Sequence, residues 1–566
     1  MAAEFIITLS AMFIAAGVLL LVANHFGLSP IPFYIIAGLI TGTFFEISDL
    51  VELAQWGIAF LVFVFGIRVD IEDVQSVFRD AEIVAFMQLL IVGTIALGIG
   101  YGFSVVFGFE YPLRNAIYFA AAATLSSTIV GAGVFEQEIR TNLVHGRLAS
   151  SIHFFDDIVA IGVILILSAE TLGDLQLVTS NIGYGVLFLL AGLLIYRHGF
   201  PLLVRLAEGF EELVLMGSIS ILIAFIAAAE AVGLSIVIGA FAAGIAIRNE
   251  GAQALGVRNG IESIKDFFVA IFFVTVGALV QVPSLDVLVL ALSLLVLVLF
   301  VTPLIHMQAF LFEGYDARTA FLASSRLNQM SELSLVIAIQ AWLMGTISSR
   351  LFDAIILATA GTMILTVVAK RYEDAVYDSV VERVVRGTQT RRIDERSYVD
   401  EELEDHVIVV GYGRQGRLLV DRLEEIEVPY VVVENDPVIS DSLGRECQNY
   451  VFGDAMATHP MKRARVDDAR LLVSTVNHEP LSERLLELPT DAEIILRADT
   501  SREATRLLEA GATFVNVPSV LASDQLVENV ARVVADRRES ATLRDEHLET
   551  LRDLERHGFT TRYGGD

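Results

Sequence analysis

The chain has one cysteine in 566 residues, Cys447, which excludes an intrachain disulfide and a cysteine-built metal cluster. It has only three lysines, Lys265, Lys370 and Lys462, and the balance of Lys+Arg 39 against Asp+Glu 68 leaves a net charge of −29. Binding to nucleic acid rests on clustered positive charge, so this balance argues against a nucleic-acid partner. No basic n-region precedes the first apolar run, Phe5 to Ala23, so the sequence predicts a membrane span there and no cleavable signal peptide.

What is present is apolar. Hydrophobic residues make up 54% and mean hydropathy is +0.63. That average covers two regimes. Residues 1–371 are a succession of long apolar runs, and the remainder is charged. Runs of about 20 apolar residues are the length of a bilayer crossing. The expected architecture is therefore a polytopic α-helical membrane protein followed by an α/β Rossmann-type domain. The expected divisions are a transmembrane domain at 1–371, a linker at 372–404, the Rossmann-type domain at 405–538 and a charged tail at 539–566. Thirteen spans are predicted at 4–24, 29–46, 51–69, 82–107, 114–134, 148–168, 181–197, 210–229, 233–248, 264–281, 285–309, 317–343 and 350–370.

Arginine and lysine test that count. Loops after odd-numbered spans carry Arg68, Arg79, Arg140, Arg147, Arg197, Arg205, Arg248, Arg258, Lys265 and Arg318; loops after even-numbered spans carry Arg114 and Arg350. The odd-following loops then face the cytoplasm. This places the N-terminus outside and, with thirteen crossings, the C-terminal domain inside a cell membrane.

Within the sixth span two acids stand together in an apolar run, Asp156-Asp157. A charged group at the bilayer centre costs about 2.5–3.5 kcal/mol on insertion scales, and such groups mark ion or proton pathways. Consecutive residues point about 100° apart on a helix, so the two carboxylates cannot share one face. A buried carboxylate that holds either a proton or a metal ion is the minimal chemistry of cation/proton exchange. Asp156 and Asp157 are the expected ligands of Na⁺ or K⁺. The fifth span carries Ser126, Ser127 and Thr128, whose hydroxyls and carbonyls suit a hard cation if the helix breaks, or a tight helix contact if it does not. The twelfth carries Arg326, Gln329 and Glu332. Arg326 either offsets the acidic pair or reaches for the cytoplasmic interface. Glu332 either pairs with Arg326 through local unwinding or lines the cavity. His153, one turn before Asp157, reads as a proton relay or as a satisfied core histidine.

In the soluble part, the strand pattern His406–Val410 runs into Gly411-Tyr412-Gly413-Arg414-Gln415-Gly416 and then a helix. Between strand and helix this fingerprint predicts a dinucleotide-type loop, the pyrophosphate lying on the helix N-terminus. Glu434 ends the next strand, 18 residues past Gly416, where an acid meets ribose hydroxyls. Gly453-Asp454-Ala455 follows the third strand. The candidate nucleotide residues are Gly411, Gly413, Arg414, Gln415, Gly416, Glu434 and Asp454.

This domain resembles the one that regulates potassium conductance, also called the Trk N-terminal domain. The resemblance implies NAD(H) or an adenine nucleotide as regulatory ligand, and a homodimer. The thirteen spans, Asp156-Asp157, Leu125-Ser126-Ser127-Thr128 and Gln329-Met330-Ser331-Glu332 together resemble the monovalent cation:proton antiporter-2 family, and with the tail the chain is similar to Kef-type members. The acidic, lysine-poor composition resembles that of proteins from halophilic microbes. The family resemblance implies a secondary transporter, not an enzyme, that works by alternating access. Asp157 would be the principal ion ligand and Asp156 its partner. Kef-type potassium systems typically carry Gln-Asp here and sodium exchangers Asp-Asp, so the expected ion is Na⁺, with K⁺/H⁺ exchange or K⁺ efflux as the alternative. Met330 stands where the Kef motif usually has glycine. A ligand-gated K⁺ channel is a remote alternative: Thr275-Val276-Gly277-Ala278 lacks the Tyr-Gly of a filter.

Overall fold

The computed structural model describes residues 2–26, 28–42, 48–68, 82–127, 143–167, 175–208, 210–247, 252–381, 383–384, 395–535 and 539–556. The chain divides into two compact units, one of residues 1–313 with 320–377 and the other of 314–319 with 378–566.

The first unit is all helix: α1 (Ala2–Phe26), α2 (Pro30–Gly42), α3 (Ser48–Arg68), α4 (82–106), α5 (Pro112–Thr124), α6 (Val144–Leu167), α7 (175–206), α8 (Glu211–Ala231), α9 (Ile236–Ile245), α10 (Ala252–Leu279), α11 (285–313), α12 (Ala317–Ser325), α13 (Glu332–Leu343), α14 (Ser349–Lys370) and α15 (373–381). Among the described residues, five stretches are long and apolar enough to cross a membrane as single helices: Ile83–Val106, Thr179–Leu206, Glu211–Ala231, Leu285–Glu313 and Ser349–Lys370. Each of the thirteen predicted segments has helix among its described residues, with differences that follow from local chemistry. The seventh extends to 206, so Arg197 and Arg205 lie on its helical end and not in a loop. The twelfth is two helices with an unwound stretch between them. The fifth ends as a helix at Thr124, and its residues 128–134 lie outside the described set.

Small residues set how closely these helices approach. A side chain on Gly38 would overlap the Val274 carbonyl, and one on Gly277 the Ile35 carbonyl, so α2 and α10 pack backbone to backbone. Gly66 and Gly244 do the same for α3 and α9. Without water to drive helices together, close van der Waals contact of this kind is a main source of association in a bilayer. Among the described residues, π-helical turns interrupt the long helices at Gln88–Val92 in α4, Ile195–Gly199 in α7 and Leu297–Val301 in α11, and a fourth, Tyr377–Val381, ends α15.

The second unit is a parallel sheet of β1 (His406–Val410), β2 (Tyr430–Glu434), β3 (Tyr450–Phe452), β4 (Ala469–Ser474), β5 (Glu493–Arg497) and β6 (Phe514–Asn516), in the order β3-β2-β1-β4-β5-β6. The intervening helices are α16 (Arg414–Glu425), α17 (Pro437–Glu446), α18 (Thr458–Arg463), α19 (Glu479–Leu486) and α20 (Ser501–Glu509); α21 (Pro518–Ala535) and α22 (Glu539–Arg556) follow. Strands β1 and β2 are buried throughout, as continuous β-branched runs in a two-sided sheet should be. The order reverses between β1 and β4, the switch point at which such sheets bind ligands.

The expected linker ends earlier than residue 404. Tyr398 forms an antiparallel bridge with Tyr450, exchanging N–H···O bonds of 2.9 and 2.7 Å. Ser397 Oγ accepts from the Phe452 amide at 3.0 Å, and Val399 is buried in the domain core. Residues 397–400 thus cover the open edge of β3, whose unpaired amides would otherwise be exposed.

Candidate functional site

Helix α5 stops at Thr124, and Leu125 takes an extended conformation. On the other strand of the crossing, α12 ends at Ser325 and α13 begins at Glu332, which leaves residues 326–331 without regular helix. The two unwound stretches meet as an antiparallel bridge between Ser126 and Met330. The Ser331 amide donates to the Leu125 carbonyl at 2.9 Å and the Ser127 amide to the Gln329 carbonyl at 3.3 Å. Helix termini leave four backbone groups each without a partner, and a buried crossing must satisfy them. Here the two breaks satisfy one another. Ser331 caps α13 through its Oγ, and Gln329 Nε2 donates to the carbonyls of Ser127 and Arg326. From α14, Thr362 Oγ1 accepts from the Met330 amide at 3.1 Å, and Thr366 Oγ1 donates to the Asn328 carbonyl at 3.1 Å.

Asp156 and Asp157 lie in the middle of α6, both buried, so they do not cap a helix end. Asp156 Oδ2 accepts from the Ser126 amide at 2.9 Å and from Ser126 Oγ at 2.5 Å. Its Oδ1 accepts from Gln88 Nε2 at 2.9 Å. His153 Nδ1 lies 2.8 Å from Ser126 Oγ, which ties this histidine to the same cluster. Ser127 Oγ donates to Glu332 Oε2 at 2.6 Å. Glu332 is wholly buried at the first turn of α13, where the helix dipole favours an anion.

The structure therefore gathers Asp156, Ser126, Ser127, Gln329 and Glu332 around one crossing, with hydroxyl, carboxylate and carbonyl oxygens of the kind a hard cation prefers, and Asp157 is buried beside Asp156 on α6. Thr128 lies outside the described residues. Arg326 has a partner that the sequence reading did not name. It is 1% exposed, and its guanidinium donates to both carboxylate oxygens of Glu373 in α15 and to Ser325 Oγ. Planar fork-to-fork pairing of this kind is the strong form of an arginine ion pair. Glu332 accepts from Ser127, and the unwinding expected beside it is present. Two residues at the site have no sequence signal beyond being polar in an apolar span: Gln88 in α4 and His306 in α11. His306 Nε2 lies 3.0 Å from Gln88 Oε1.

In the second unit the glycine loop divides its labour. Gly411 has φ +91°, a conformation that favours glycine. A side chain on Gly416 would overlap the Gly411 carbonyl, so this glycine lets α16 sit against β1. A Cβ on Gly413 meets nothing within 4 Å, and Gly413 caps α16 with no side-chain hydrogen bond. The loop thus leaves open space at the uncapped N-terminus of α16, a cradle that fits a phosphate. Glu434 is buried; its Oε2 accepts from the Tyr412 amide at 2.7 Å and its Oε1 from the amides of Asn435 and Asp436. Burial pushes its carboxyl above the usual range, opposed by those amides. Arg497 holds Gln415 Oε1 at 3.1 Å, Asp454 Oδ1 accepts from the Met456 amide at 2.9 Å, and Arg414 opens α16.

A model of the sodium/hydrogen exchanger transmembrane family matches residues 10–371, and one of the TrkA-N domain matches 407–518. The chain is 25% identical over 91% of its length to a putative cation/proton antiporter, YbaL, of Escherichia coli, covering 95% of that protein. It is 26% identical over 85% of its length to a putative K⁺ efflux antiporter, KefB, of Alkalimonas amylolytica, covering 73% of it. The sodium proton antiporter NhaP1 of Methanocaldococcus jannaschii aligns with 67% of the chain at a TM-score of 0.51 and 16% identity, covering 99% of that chain, which supports the helical membrane fold. The chain belongs to the sodium/hydrogen exchanger family of cation/proton antiporters, in its Kef-type cation:proton antiporter-2 group with a C-terminal TrkA-N domain.

Proposed function

We propose that the chain exchanges K⁺ for H⁺ by alternating access at the crossing beside Asp156-Asp157. The observation that carries this reading is Asp156, a buried carboxylate bound to the amide and hydroxyl of a broken helix. Relatives named as potassium efflux proteins favour K⁺ over Na⁺. One observation favours sodium: two consecutive acids occupy the site where Kef-type chains typically carry one. Asp157 is the principal ion ligand in this reading and Asp156 its partner, with Ser126, Ser127, Gln329 and Glu332 shaping the cavity. If both acids exchange protons for one ion, transport is electrogenic. NAD(H) or an adenine nucleotide at Gly411–Gly416 and Glu434 regulates exchange. The protein works as a homodimer in the cell membrane, N-terminus outside and TrkA-N domain in the cytoplasm.

The test is collapse of an imposed pH gradient in proteoliposomes on adding K⁺, Na⁺ or Li⁺. A response to K⁺ supports the proposal. A response to Na⁺ and Li⁺ alone moves the chain to the sodium reading, and no response to any of them refutes antiport.

A further inference from the structure

Gln88 and His306 are more than 200 residues apart, on α4 and α11, and meet behind Asp156. Both are wholly buried, Gln88 at 1% and His306 at 0% exposure. The hydrogen bonds fix which end of the Gln88 amide points where. Its Nε2 donates to the Thr124 carbonyl and to Asp156 Oδ1. Its Oε1 is then the acceptor, so His306 is the tautomer with hydrogen on Nε2 and donates to it. His306 Nδ1 has no hydrogen-bond partner among the described residues. The ring thus makes one bond, and that bond goes to Gln88.

A glutamine amide has two donors at one end and an acceptor at the other, and a half-turn exchanges them. With His306 donating to Oε1, the turned amide would set two donors face to face and an oxygen against the Asp156 carboxylate. Burying such mismatched groups costs about 1–3 kcal/mol each. Asp156 is consequently held on both oxygens, by Ser126 on Oδ2 and by Gln88 on Oδ1, and its plane cannot swing. Helices α4 and α11 each carry a π-helical turn near the contact, at Gln88–Val92 and Leu297–Val301, a form that recurs at functional sites.

We propose that His306 is a positioning residue for cation capture: by locking the Gln88 amide it fixes the Asp156 carboxylate in the orientation that binds the transported ion. This rests on the antiport reading above. Preorganisation of a ligand by its outer partner shows in affinity more than in turnover.

The experiment measures KM and kcat for the transported cation in proteoliposomes holding wild type, His306→Phe, His306→Gln, Gln88→Met and the double variant His306→Phe/Gln88→Met. Each is first checked for a monodisperse peak in detergent. Loss of the donor in His306→Phe raises KM by about tenfold with a smaller change in kcat. His306→Gln, which restores an N–H donor, returns KM most of the way. Gln88→Met raises KM similarly, and the double variant is no worse than Gln88→Met alone. An unchanged KM in folded His306→Phe overturns the inference, as does an equal fall in kcat with no rescue by glutamine. If His306→Phe does not fold, unchanged KM in Gln88→Met overturns it and a raised KM supports it. Asp157→Asn, assayed alongside, separates the two levels: full exchange in that variant refutes the transport site itself, whereas its loss with an unmoved His306→Phe refutes only the role of His306.

Discussion

The two units each break a helix or strand to expose backbone, and they treat the exposed groups in opposite ways. At the membrane crossing the freed groups are taken up internally: Leu125 by Ser331, Ser127 by Gln329, Met330 by Thr362 and Asn328 by Thr366. At the glycine loop the amides at the start of α16 have no side-chain cap, and the position beside Gly413 is empty. A buried polar group without a partner is costly where water is absent and cheap at an aqueous surface. The backbone at the membrane crossing is therefore satisfied from within the protein, whereas the amides of the glycine loop are left for water or an anionic ligand.

That contrast breaks most sharply at the acids. Asp157→Asn should lower exchange by about two orders of magnitude or more, because a neutral amide cannot trade a proton for a cation; Asp156→Asn, which leaves Asp157 in the amide–acid pair typical of Kef-type chains, should lower it less. Gradient collapse in proteoliposomes checks it, and near wild-type rates in Asp157→Asn would sink the site. Next comes Glu332→Ala, which removes the acceptor of the Ser127 hydroxyl bond in a dry interior. It should cost about 1–3 kcal/mol and appear as a lower melting temperature in detergent, whereas Glu332→Gln keeps an acceptor and should lose less.

The glycines sharpen the other side. Gly416→Ala forces a methyl onto the Gly411 carbonyl and should destabilise the TrkA-N unit by about 1–3 kcal/mol. Gly413→Ala has room for its methyl at an ordinary φ of −72° and should fold normally. It should weaken nucleotide binding about tenfold, or 1.4 kcal/mol, by crowding the cradle. Calorimetry on the whole protein separates the two, and equal effects of both substitutions would contradict the division of roles.

The smallest effect concerns Cys447. Burial pushes its thiol up to about 11, so it stays protonated in the folded domain at pH 8. Maleimide should label it slowly there and rapidly after unfolding. The unfolded thiol ionises near pH 8.5, so the stability that this group contributes by staying neutral turns to a penalty as pH rises above that value. Fast labelling of the native protein would show the site to be open.

Much of this was legible in the sequence, and the unreadable part has a common cause. Apolar length gave the helices, and a continuous β-branched run before Gly411 gave the sheet. Asp156-Asp157 announced itself because charge in an apolar run has no cheap explanation. Gln88, His306, Thr362 and Thr366 did not, since single neutral polar residues are ordinary in a span and their meaning lies in partners far along the chain. Arg326 was visible as unusual, but its partner Glu373 lies beyond the last span, in what reads as linker. The cover over β3 was hidden for a similar reason: Tyr398 has no strand pattern around it, and its pairing is set by the exposed edge it meets.

The π-turns in α4 and α11 make the Gln88–His306 contact a matter of counting as well as of chemistry. Each such turn holds one residue more than the α-helical turn it replaces, and a residue is about 100° of rotation. Deleting a single leucine from Leu297–Val301 would let that turn relax to an α-helical one with His306 still facing Gln88, whereas deleting one residue between Thr302 and Ile305 would swing His306 about 100° away. The spacing of an apolar, featureless stretch is thus as much a part of the candidate site as the acids: a one-position gap is absorbed within the π-turn and breaks the contact in the helix that follows it.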